Sequence, residues 1–164
     1  MPHVPFSSLP DDARVWVFAS DTPIRGAAAD RLLGEVDRFL DGWAAHGLPL
    51  ACGRDWCEDR FLTIAVDQRQ AHASGCSIDG LFRALRALEP VIGASLVAGG
   101  RVFYRTRDGE VAAVARDAFA ALGAARVVDR ETLVFDTSVI TLGDWRDHFE
   151  TQLGRSWHAQ LVGA

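Results

Sequence analysis

The sequence predicts an α+β fold: a ferredoxin-like β-α-β-β-α-β core with a small C-terminal α+β extension. Three observations carry that reading. Two segments space their apolar residues for one face of a helix. The residues between the helices read as a strand pair around a two-residue break. Strand-like runs precede the first helix and follow the second. The predicted organisation is an N-terminal lead over 1–13, the core over 14–100 and the extension over 101–164.

The Pro-containing lead gives way to "RVWVFAS" (14–20), a strand by its valines and aromatics. After the turn "DTP", a helix is expected from Gly26 to His46. Leu32, Leu33, Val36, Phe39, Leu40 and Trp43 share one face, with Gly47 and Pro49 as terminators. "LACGRDWC" and "RFLTIAVD" flank "ED" as a hairpin, and Leu62, Ile64 and Val66 give the second strand an aliphatic face. A second helix is expected from Ser77, as N-cap, to Glu89. Ile78, Leu81, Phe82, Leu85 and Leu88 would be its buried stripe, and Pro90 its end. Beyond it, "RVFYRT" and "EVAAV" enclose "RDG" as a further hairpin, and "ARDAFAALG" is a short helix. "TLVFDTSVITL" reads as strand, and "GDWRDHFETQLG" as a helix or turn.

Composition excludes several functions. The chain of 164 residues carries a net charge of -5, against the basic footprint of a nucleic-acid binder. Its 17 basic residues are all Arg. Without Lys there is no Schiff-base chemistry and no Walker A lysine, and no G-x-x-x-x-G-K-[ST] match occurs. No apolar run approaches a membrane span, and the opening residues do not resemble a secretory signal, so a cytoplasmic location is expected. Three Cys residues in that setting point to thiols rather than a disulfide framework.

The candidate chemistry centres on "ASGCSID" (73–79). A Cys at a helix start meets unpaired backbone N–H groups and the positive end of the helix dipole, which favour a thiolate. His72 lies on the same loop as a candidate base for Cys76, while Asp79 opposes a second negative charge. The same segment offers Ser74, Gly75 and Ser77 to a small anion. A phosphatase loop fails, because Cys76 and Arg83 are spaced C-x6-R and Phe82 stands where the arginine is needed. The alternative role for Cys76 is that of a small, buried hydrophobe. Cys52, Cys57, His72 and Cys76 could be drawn as a zinc set, but residues five apart on one strand face opposite ways, so no metal site is assigned. His46 is expected to close a helix; His148 and His158 pair with nearby Trp residues as packing or interface groups. Asp67 is a turn former or an orienting carboxylate for Cys76. Five Trp residues suggest packing, with Trp56, Trp145 and Trp157 available for a pocket or self-association.

Three blocks, "GWAAHGLPL", "ASGCSID" and "SWH", together with the "VWVF" opening, resemble a family of small uncharacterised bacterial proteins. Some of its members carry the label "ABC transporter ATPase". The resemblance implies no established activity, and the missing Walker loop argues against the label. Residues 102–136 resemble GYF-related small domains, which implies a compact hairpin–helix–strand module, although the Gly-Tyr-Phe signature is absent. The expected function is therefore a non-catalytic ligand-binding or interaction protein with a small-anion site at 74–77. The alternative is a thiol-dependent enzyme with Cys76 as nucleophile on an acyl-type substrate and His72 assisting. The expected partners are a small anionic ligand or another protein, including a second copy of the chain; nucleic acid, membrane and cofactors are not expected.

Overall fold

The valine- and aromatic-rich run after the lead is strand β1 (Arg14–Ala19) in a computed structural model that describes residues 3–163. The amphipathic segment that follows is α1 (Gly26–Asp41), with Leu32, Val36 and Leu40 buried. It ends at Asp41, short of the predicted His46. Gly42 leaves helical geometry, and the chain folds into a small hairpin of β2 (Ala44–Ala45) and β3 (Leu48–Pro49). His46 and Gly47 turn that hairpin with φ of 52° and 78°, the left-handed pair that a two-residue turn between twisted strands demands. His46 is thus a turn residue, not a helix terminator. Trp43 lies outside the helix yet stays buried, its indole N–H donating to the Ser77 carbonyl at 3.0 Å.

The predicted hairpin is β4 (Ala51–Cys57) and β5 (Phe61–Asp67). Its turn again uses two left-handed residues, Glu58 and Asp59, closed by the Arg60 N–H on the Cys57 carbonyl. Helix α2 (Gly75–Ile92) begins before the predicted Ser77, because Ser74 is the N-cap. It also runs through Pro90, which costs one backbone donor in the last turn but does not stop the chain. Gly93, at φ 70°, ends it.

β1 and β4 both run antiparallel to β5, in the order β1-β5-β4. A ferredoxin-like sheet would continue with a fourth strand beside β1. The next strand, β6 (Arg101–Arg105), instead joins a second antiparallel sheet with β7 (Val111–Ala115), β8 (Leu133–Phe135) and β9 (Glu150–Gln152), in the order β7-β6-β8-β9. Helices α3 (Arg116–Ala124) and α4 (Leu142–His148) complete the mixed α+β structure. The predicted strand across "TLVFDTSVITL" is only β8. Asp136 accepts from the Ser138 N–H and turns the chain away.

The layers follow from side-chain alternation. On β5, Leu62, Ile64 and Val66 face α1 and α2, while Phe61 and Ala65 face the opposite way. Both faces are covered, so every β5 residue from Phe61 to Val66 is buried. Phe61 meets Phe103, Phe135 and Phe149 between the two sheets, with ring centroids 4.8–5.2 Å apart. The far side of the second sheet packs Val102 and Val134 against Phe119 of α3 and the C-terminal turns. The order is therefore helices, sheet, sheet, helix. No helix among the described residues is long and apolar enough to cross a membrane.

Candidate functional site

The helix start at 74–77 is built as a cap. The Ser74 Oγ accepts from the Ser77 N–H at 3.2 Å, and the Ser77 Oγ donates to the Ser74 carbonyl at 2.8 Å. Both hydroxyls that were candidates for an anion are engaged with one another and with backbone. Gly75 and Cys76 are exposed. His72 is exposed as well, and no hydrogen bond or ring contact links any histidine to Cys76 among the described residues. Asp79 sits 3.4 Å from Arg83, one turn on.

The other thiols lie apart. Cys52 packs among the residues facing the helices, 3.6 Å from the Leu40 carbonyl, and burial pushes its thiol up to about 12. Cys57 is on the opposite face beside Asp55, and burial followed by the Asp55 charge pushes it to about 12. Among the described residues no group of three His, Cys, Asp or Glu side chains could hold a metal ion. Asp67 does not reach toward Cys76: it binds the Arg69 guanidinium and N–H, which hold its carboxyl below the usual value. His148 is exposed in the last turn of α4. His158 is buried and stacked on Trp157, its Nδ1 2.6 Å from the Ser156 Oγ. Burial pushes it down to about 4, so it is neutral near pH 7.

One feature escaped the sequence reading. The outer edge of β4 is covered where the Val4 N–H donates to the Cys52 carbonyl at 2.8 Å. The outer edge of β1 is covered only at its beginning. There the Val15 N–H donates to the Ile140 carbonyl at 3.0 Å, and Arg14 bridges Thr141. In an antiparallel ladder the residues alternate. Arg14, Trp16 and Phe18 bond to β5, and Val15, Val17 and Ala19 turn their backbone groups outward. The Val15 carbonyl takes the Arg14 guanidinium at 2.8 Å. No hydrogen bond reaches the outward N–H or C=O of Val17 or Ala19 among the described residues.

Those open groups face a groove of about 280 Å³. Phe82, Leu96 and Val97 line it on the helix side, and Phe103 and Val139 on the side of the second sheet. The loop that forms one wall carries Gly99 and Gly100, at φ 67° and 78°. Where Ile140 meets β1 the groove is sealed. Arg14 stands at that end over the Trp16 ring, 4.9 Å away, its guanidinium donating, among the described residues, only to the carbonyls of Val15 and Ile140. The only local hints in the sequence were the Asp136–Ser138 turn, which interrupts a strand-like run, and the Gly pair. Comparison with family models, with curated proteins and with solved structures finds no match to this chain, so both family resemblances stand on the quoted residues alone.

Proposed function

We propose that the protein is a non-catalytic binding protein whose ligand lies along the open edge of β1. The observation that carries this reading is the pairing of unsatisfied strand groups on Val17 and Ala19 with a partly apolar groove closed at one end. Open strand edges are a hazard that proteins normally blunt with charge, Pro or a covering segment. Here the backbone cover stops at Val15, and the rest is flanked by apolar side chains with one ion pair, Arg101–Asp21, whose charges neutralise each other. A ligand there would occupy the fourth-strand place of a ferredoxin-like sheet.

The test is amide chemical-shift mapping with small organic anions and short peptides. Ligands that shift Val17, Ala19, Val97 and Arg101 support the reading. Ligands that shift only Gly75, Cys76 and Ser77 would move the site to the helix start and sink it. A second reading, thiol-dependent chemistry of Cys76 on an acyl-type substrate, is favoured by the exposure of that side chain at the first turn of α2. It requires acyl transfer from an activated ester that disappears on Cys76→Ser.

A further inference from the structure

We propose that the groove beside β1 is a strand-addition site for the C-terminal residues of a protein partner, bound antiparallel to β1 with the terminal carboxylate on Arg14. The proposal rests on the binding reading above and names its occupant. Three features select that occupant.

The first is the backbone. Val17 and Ala19 present two N–H donors and two C=O acceptors in strand spacing, the pattern that another extended chain satisfies and a compact small molecule does not. About four residues, at roughly 3.3 Å each, span β1 from Trp16 to Ala19. The edge has walls on both sides, Phe82, Leu96 and Val97 on one and Phe103 and Val139 on the other.

The second is the lining. An added strand sends alternate side chains to opposite faces. One set would meet Phe82, Leu96 and Val97, and the other Phe103. These side chains are apolar on both faces, which favours apolar residues at the peptide positions that meet them.

The third is the closed end. The Val15–Ile140 hydrogen bond and the Arg14–Thr141 bridge leave no passage for a continuing chain, so an occupant must terminate there. Arg14 has no carboxylate partner among the described residues. Arg101, the other arginine of the groove, is already paired with Asp21 at 3.1 Å. A terminal carboxylate on Arg14 gains a charge-assisted hydrogen bond. It also fixes the direction, since a chain whose C-terminus lies at Arg14 runs opposite to β1.

The experiment is fluorescence anisotropy on the full chain with the pentapeptide Gly-Thr-Val-Leu-Val, labelled with fluorescein at its N-terminus. Parallel arms use its C-terminal amide, a version N-methylated on the backbone at Leu, and the Arg14→Gln protein. Saturable binding of the free acid is expected, at least tenfold weaker for the amide and for R14Q, and abolished by N-methylation. The amide and N-methyl arms change only the ligand, so they hold whatever R14Q does to folding. Equal binding of acid and amide overturns the C-terminal inference; if groove amides still shift, the binding reading survives it. Binding indifferent to N-methylation, or no peptide binding at all, overturns strand addition. In the latter case small-molecule shifts at Val17 and Ala19 decide the broader reading separately.

Discussion

Cys76 shows how little a residue's neighbours in sequence determine its chemistry. Its place at a helix start is as expected, both neighbouring serines serve the cap, and no hydrogen bond joins His72 to Cys76 among the described residues. Exposure does separate it from the other thiols. Ellman's reagent at pH 8 should therefore titrate one thiol in the folded protein and three after denaturation, and Cys76→Ser should leave a single slow residue class. Because the side chain is exposed, that substitution should change stability by no more than about 0.5 kcal/mol, read from urea midpoints. His158 should behave in the opposite way. Burial lowers its folded value to about 4, helped by Arg116 and opposed by Asp136, against about 6.5 in the unfolded chain. The unfolded state thus takes up the proton first as pH falls. Stability is complete above pH about 6.5 and is lost toward pH 4, by on the order of 3 kcal/mol. Urea midpoints at pH 7 and 5 should diverge in the native chain and converge in His158→Gln; an unchanged slope would sink the assignment.

At the scale of elements, the two strand edges of the first sheet have different fates, for a steric reason. The N-terminal segment can lie on β4 because Gly53 has no side chain: a Cβ there would stand 2.6 Å from the Val4 carbonyl and 3.2 Å from Phe6. Gly53→Ala should cost about 1–3 kcal/mol by overpacking and release the segment, seen as faster amide exchange at Val4. Trp145 reports the same event, since its ring meets Phe6 at 5.0 Å and its N–H donates to Thr63 at 3.0 Å. The helices and the central hairpin were legible in sequence, because periodicity and the "ED" break are local signals. Their ends were not. Whether Gly42 ends α1 depends on Trp43 finding the Ser77 carbonyl, a contact 34 residues away. Ser74 rather than Ser77 is the cap: its Oγ accepts from the Ser77 N–H, while the Ser77 carbonyl accepts from that indole.

For the whole molecule the decisive contact is the one between the sheets. Phe61 touches three phenylalanines from the second sheet and its flank. Around them the seam is pinned by arginine. Arg60 is buried and donates to the carbonyls of Ser20, Asp21 and Val111, and Arg105 pairs with Glu58 and Glu150. Arginine suits this place better than lysine would, since one planar fork reaches several carbonyls at once. The two sheets should therefore unfold together, in one calorimetric transition with matching van't Hoff and calorimetric enthalpies. Phe61→Ala should cost about 3–5 kcal/mol. Two separated transitions in the native chain would show that the seam does not couple the sheets.

By itself the sequence determined the α+β class, the two amphipathic helices, the hairpin between them and the absence of a Walker loop. Each is written in spacing or in residue types that act over a few positions. Only the tertiary structure decided where β6 pairs and that β1 is left partly open. Strand partnership is a choice among edges of similar local appearance, settled by which pairing buries the phenylalanines. It also decided the site. A groove is made of backbone groups left without partners, and the sequence records which groups exist, not which remain unpaired once the chain has folded.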